Sequence, residues 1–440
     1  MADPGPADGD DSAYLWYVAA ALGAELAGGL LIGVLIYLAR SGIVLRDRLP
    51  ELIQAHGWLQ LQGWAGLFVA GMAQRLVPRL AGRAPAAAAN LPLFLLLLAG
   101  AVLRPIGQVV GGSAGGAIVL VASLSAAIGS LGLSVVLASV LLRARSPRAG
   151  WLLFAWAGCA WWTVWAVLDV WAGVLGAGAG GLVPGWLDEP SVWVVTLGSI
   201  GSFIWAIQSR MVPISFGRKQ PGVDALIGPA VLYNTGLLVV LTALVLTAVG
   251  RPVEAEGSLI SAGLALVGLG ATWLAVAAGA VSGLPHRLRP ASQPLARFVV
   301  SADRWAILAG VMWIAAFAGP LVYDRTPGHS LDDAALHAFG TGVITMLIAG
   351  MVQMVAPVFA RARIEAPTPG LAERSIWPLL WAATAARVAA ALAVGYGQGQ
   401  AFNVLAAISG ALGWIGVAAL AGLLVAARRR YLGADHPVPV

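Results

Sequence analysis

The stretch HGWLQLQGWAGLFVAGMAQRLVPRL, residues 56–80, decides the fold. It is apolar enough for a membrane span, yet it opens on a histidine and ends with Arg75 and Arg79 around Pro78. Its closing string, GMAQRLVP (71–78), returns as AIQSRMVP (206–213) and as GMVQMVAP (350–357). Pro78, Pro213 and Pro357 stand 135 and 144 residues apart. Each interval holds four apolar stretches. The chain therefore reads as three copies of a four-helix unit, about residues 13–143, 150–283 and 298–430.

Composition agrees with a membrane protein. Of 440 residues, 59% are hydrophobic and 10% charged, against about 25% charged in a soluble domain. With charges so sparse, the net +6 is no nucleic-acid footprint. A bilayer core of about 30 Å needs roughly 20 apolar residues per helix. Twelve stretches qualify: 13–38, 55–78, 89–111, 115–141, 150–175, 191–214, 224–249, 257–282, 298–322, 334–359, 375–396 and 402–427. The expected fold class is an all-α integral membrane protein, with twelve transmembrane helices in three pseudo-repeated four-helix arcs. That plan differs from the two six-helix halves or inverted repeats of many transporters. Residues 1–12, MADPGPADGDDS, lack a basic n-region and read as a disordered acidic leader. Residues 13–430 form one membrane domain, and 431–440 a short cytoplasmic tail. The lone cysteine, Cys159, excludes an intrachain disulfide and a Cys-rich metal site.

With the N-terminus inside, sixteen of the 26 Lys and Arg residues fall in inner loops and the tail. Five (Arg40, Arg46, Arg48, Arg251 and Arg325) fall outside. By the positive-inside rule both termini are cytoplasmic, in a membrane of the bacterial inner type. The remaining five lie in spans or at their ends. Arg75 and Arg210 read as snorkelling to the inner surface, and Arg304 as a local pair with Asp303. Arg104 and Arg387 are deeper, where charge faces protein, cavity or headgroup. Glu25 and Asp169 are the deep acids, either protonated or paired with a deep arginine. The tryptophans of helix five (Trp156, Trp161, Trp162, Trp165 and Trp171) read as lipid-facing or packing residues.

Three of the five histidines, His286, His329 and His436, fall in loops or the tail and read as solvated. His56 and His337 differ. They stand at the outer starts of helices two and ten, 22 and 20 residues before Pro78 and Pro357. At α-helical spacing His56 shares its face with Gln60 and Gly63, and His337 with Gly340 and Thr341. Small residues there admit a flat, bulky group, and two opposed imidazoles are what a six-coordinate haem iron takes. The same residues also read as interfacial histidines, with glycines serving helix packing.

On these two helices the chain resembles the haem-copper oxidase subunit I superfamily, and within it most closely the NnrS-like proteins. HGWLQLQGWAGLFVAGMAQRLVP looks like that superfamily's helix two, and LHAFGTGVITMLIAGMVQMVAP like its helix ten. The resemblance implies twelve helices in three arcs with cytoplasmic termini. It implies one low-spin haem b, with His56 and His337 as the iron ligands and Gln60, Gly63, Gly340 and Thr341 around it. Arg104, and after it Arg387, would partner the haem propionates. No C-x-x-C-H marks a covalent haem. The departures matter as much. Helix ten carries Ala335 where the family's first H-x-H histidine would bind a catalytic haem, and helices six and seven hold no histidine. Copper needs imidazole or carboxylate ligands, and helix seven offers only Asp224, so copper is doubtful and oxygen or nitric-oxide reduction is not expected. The implied roles are electron transfer with a quinone or redox partner protein, haem-based sensing, or a nitric-oxide stress response. The rival expectation is a haem-free polytopic protein, either a transporter or an assembly subunit of a larger respiratory complex, using Glu25, Asp169 and Arg387 as polar sites.

Overall fold

The structure, a computed structural model, describes residues 13–433 apart from 85, 147, 251–252, 279–292, 323–327, 360–370 and 396–398. The acidic leader, the end of the tail, His286, His436 and the loop residues Arg251, Arg287, Arg289, Arg325, Arg361 and Arg363 lie outside the described residues.

The described regular structure is helical, without strands. We number the helices α1 (Tyr14–Arg40), α2 (49–81), α3 (Ala87–Val110), α4 (Gly112–Leu141), α5 (Trp151–Gly178), α6 (Gly185–Ser215), α7 (Val223–Ala248), α8 (Val253–Ala278), α9 (Gln293–Val322), α10 (328–359), α11 (Leu371–Gly395) and α12 (Gly399–Gly433). Eleven are long and apolar enough to cross a membrane. The helix outside that set is α2, whose glutamines dilute its hydropathy. It can carry them because Gln62 and Gln74 are buried inside the protein rather than set in lipid.

The helices form two layers. Going round the outside, each helix packs on the next in the order α1, α3, α4, α5, α7, α8, α9, α11, α12 and back to α1. Inside this ring stand α2, α6 and α10. Sequence dictates the division. The outer helices carry exposed apolar stripes at helical spacing, such as Leu91, Leu95, Val102, Ile106 and Val109 on α3. Such a surface is stable only against lipid chains. On α2 and α6 the exposed large hydrophobics are Ile53 and Ile214, both near helix ends. The interior is aromatic: Trp64, Trp162, Trp205 and Trp313 are almost fully buried. Of the helix-five tryptophans, Trp161, Trp162 and Trp165 are buried and Trp156 faces outward. Arg75 lies 4.0 Å over the Tyr14 ring. Asp303 is buried while Arg304 is exposed, so the two side chains diverge.

Each inner helix widens into π-helix for eight residues: Leu59–Gly66, Val194–Gly201 and Ala338–Thr345. The three segments start 135 and 144 residues apart, the same offsets as the prolines. The repeat is thus present in backbone geometry as well as in sequence. Each inner helix also begins six residues before its expected start, at 49, 185 and 328. These opening turns carry Glu51, Asp188 and Glu189, and Asp332 and Asp333, which break the apolar pattern. Glu51 and Asp188 fall in the first turn, where acids favour the helix dipole.

Small residues set how closely the outer helices approach. In lipid, where apolar burial between helices gains little, backbone contact across glycines drives packing. Gly268 of α8 faces Gly310 of α9 so tightly that a Cβ would lie 2.8 Å from the Gly310 carbonyl oxygen. A backbone atom cannot yield. Gly268→Ala is therefore expected to cost about 1–3 kcal/mol. Gly23→Ala, where a Cβ meets nothing within 4 Å, is expected to be neutral or stabilising. Thermal unfolding of the detergent-purified variants checks the contrast.

Candidate functional site

His56 and His337 line one cavity of about 300 Å³, at the lower end of the roughly 300–1,000 Å³ typical of small-molecule and cofactor sites. The repeat register explains how they meet. The 135 and 144 offsets place His56 level with Ser191 and Ala335, and His337 level with Trp58 and Trp193. The two histidines are therefore not equivalent positions but two residues apart, about 200° around a helix of 3.6 residues per turn. The repeat equivalents Ser191 and Trp58 line the same cavity, and the half-turn offset gives the two imidazoles different directions of approach to it. The 22 and 20 residues counted back from the prolines are this offset.

Each imidazole is held through Nδ1. His56 Nδ1 lies 2.8 Å from the carbonyl of Gly29, in a short π-helix of α1, Glu25–Gly29. His337 Nδ1 lies 2.8 Å from the Asp333 carbonyl and 3.1 Å from Asp333 Oδ1. A carbonyl oxygen only accepts, so Nδ1 carries the proton and Nε2 keeps its lone pair. An imidazole tied back in this way is oriented to ligate a metal through Nε2. Gly33 makes room for the first ring: a Cβ there would be 2.9 Å from His56 Cε1.

Of the other expected site residues, Gln60, Gly340, Thr341, Arg104 and Arg387 also line this cavity. A Cβ on Gly340 would meet nothing within 4 Å, so the space beside it is open. Thr341 donates its hydroxyl to the His337 carbonyl at 2.5 Å. Gly63 does not line the cavity. It turns toward α1, where a Cβ would lie 3.1 Å from Ala24. The expectation assumed α-helical spacing, but the π-helix starting at Leu59 puts more residues into each turn and rotates position 63 off the His56 face.

Both deep arginines already hold carboxylates. Arg104 Nη1 is 2.7 Å from Asp169 and its Nη2 is 3.7 Å from Asp188, with the guanidinium 3.9 Å over the Trp58 ring. Asp169 thus has the arginine partner that sequence reasoning offered it. Arg387 Nη2 reaches both Asp333 oxygens at 2.9 and 3.1 Å, while its Nη1 makes no hydrogen bond within the described residues. Glu25 lines the cavity with no basic partner among the described residues, its Oε2 likewise unbonded there. Sequence reasoning missed Gly29, Gly33 and Asp333. Only Asp333 carried a signal: an acid four residues before a histidine shares its helix face.

The space between α6, α7 and α10 is different. Aromatic side chains fill it: Trp205 lies 6.5 Å from both Tyr233 and Phe339, and Trp313 lies 6.1 Å from Phe339 and from Trp193, centroid to centroid. Ala335 is fully buried, and Tyr233 donates its hydroxyl to the Leu197 carbonyl. Among the described residues no three His, Cys, Asp or Glu side chains converge as a metal-binding group. A bis-histidine haem needs only two protein donors, since the porphyrin supplies the rest.

Asp169→Ala would leave Arg104, its side chain only 4% exposed, without its nearest counter-charge. Breaking a buried pair in this way is expected to cost about 3–5 kcal/mol. The fall in thermal midpoint should be smaller when Arg104→Met is added. A double variant no more stable than Asp169→Ala would contradict the pairing. No protein-family model matches this chain, and no curated protein matches it.

Proposed function

We propose that this is a membrane b-type haem protein with a single low-spin haem held by His56 and His337. Its role would be electron transfer, haem-based sensing or a nitric-oxide stress response. The observation that carries this reading is the pair of imidazoles on one cavity, each with Nδ1 tied to a main-chain carbonyl. The likeness of α2 and α10 to helices two and ten of the haem-copper oxidase subunit I superfamily, and to NnrS-like proteins in particular, supports it. So does the twelvefold helix count with three pseudo-repeats.

When bound, haem b supplies a one-electron ferric/ferrous couple. The chain's residues would do the rest. His56 and His337 bind through Nε2. Gly340 leaves the flat face its space, and Gln60 and Thr341 border it. Arg387 offers its unbonded Nη1 to a propionate, while Arg104 has less to offer because two aspartates already share it. The aromatic filling between α6, α7 and α10 leaves no copper or high-spin haem in this reading. The protein would sit in a bacterial-type inner membrane with both termini in the cytoplasm, consistent with the exposed Arg79, Arg83, Arg143, Arg145 and Arg148 at one end of the bundle.

Protein purified from cells with ample haem supply is expected to show a low-spin b-type spectrum, oxidised and dithionite-reduced, with one haem per chain. His56→Ala and His337→Ala should each abolish it. A colourless wild-type protein would instead favour a haem-free transporter or assembly subunit. Reduced quinol with oxygen or nitric oxide is expected to give no turnover above background, and appreciable consumption would show that a reducing centre is present.

A further inference from the structure

The two imidazoles are held by unlike groups. His56 Nδ1 gives its proton to a neutral main-chain carbonyl. His337 Nδ1 shares its proton between the Asp333 carbonyl at 2.8 Å and the Asp333 carboxylate at 3.1 Å. Both oxygens of that carboxylate also accept from Arg387 Nη2. The Arg387 guanidinium is in turn seated 5.2 Å over the Tyr37 ring. Paired with a group that stays charged at any working pH, Asp333 is an anion.

A hydrogen bond to an ionised acceptor is about twice as strong as one to a neutral acceptor. It draws the Nδ1 proton away from the ring and leaves Nε2 richer in electrons, raising the basicity of the ligand. An electron-rich axial ligand favours ferric over ferrous iron. Given a haem bound by His56 and His337, on which this step rests, we infer that Asp333, set in place by Arg387, is a positioning residue. It makes His337 the stronger donor of the two ligands and holds the haem's midpoint potential down. Arg387 tempers the effect by drawing on the same carboxylate. Asp333 is thus a regulator of the redox couple that contacts the iron only through His337.

Redox titration of the purified holoprotein, read optically, tests this. Asp333→Asn keeps the size and loses the charge. It is expected to raise the midpoint by about 59 mV or more, a tenfold change for one electron. Arg387→Gln should lower it, and Asp333→Glu should bring it back toward wild type. Asp188→Asn is the control, since Asp188 lines the same cavity and its ion pair runs to Arg104. It should move the potential by less than half as much. The ferric low-spin EPR signal should shift in Asp333→Asn and stay put in Asp188→Asn. A haem-loaded Asp333→Asn protein at the wild-type potential would overturn the inference. An equal shift from Asp188→Asn would do the same, because the effect would then be charge acting through space. If Asp333→Asn does not fold, Asp333→Ser takes its place with the same rise expected, and a haem-loaded Asp333→Ser protein at the wild-type potential would overturn the inference. A wild-type protein that takes up no haem would fail the haem reading itself, an outcome distinct from all of these.

Discussion

An inner helix that widens to i→i+5 hydrogen bonding takes extra residues into each turn, and everything beyond that turn is rotated relative to a plain α-helix. In this protein α2, α6 and α10 all do so for eight residues in matching repeat positions. The packing of the bundle depends on it. The π segments bring Gly63, Gly198 and Gly342 against Ala24, Trp161 and Trp305 of α1, α5 and α9. They also begin just after three related positions, 58, 193 and 337, which carry two tryptophans and one histidine. Trp58, under the Arg104 guanidinium, lines the same cavity as His337, whereas Trp193 packs against Trp313.

Much of this is legible in the sequence. The proline offsets of 135 and 144 residues announce the repeat, and every expected apolar stretch falls on a helix. Residue type and depth pick out the two histidines, and they do reach one cavity. The deep pairing of Asp169 with an arginine is one of the two options that its position allows. What stays hidden depends on local geometry. The opening turns of α2, α6 and α10 carry acids that mask them from a hydropathy reading. Gly63 is misplaced by α-helical spacing because nothing in its neighbours signals a π-helix. Gly29 acts through its carbonyl, and Gly33 through the side chain it lacks, so neither has a chemical signature in one sequence.

The cavity combines two kinds of residue with different tasks. Imidazoles anchored at Nδ1 present a lone pair in a fixed direction, the requirement for a ligand whose geometry must not relax between oxidation states. The paired charges around them, Arg104 with Asp169 and Asp188 and Arg387 with Asp333, keep net charge in the interior low. A transport path would have little use for two histidines immobilised in this way. The proposed six-coordinate haem would use both of them.

The most direct measurement is an experimental density map of protein prepared with ample haem. A bis-histidine site predicts planar density in the cavity, with iron bonded to His56 Nε2 and His337 Nε2. A cavity filled only by water or lipid in such a preparation, or iron held by any other side chain, would contradict it.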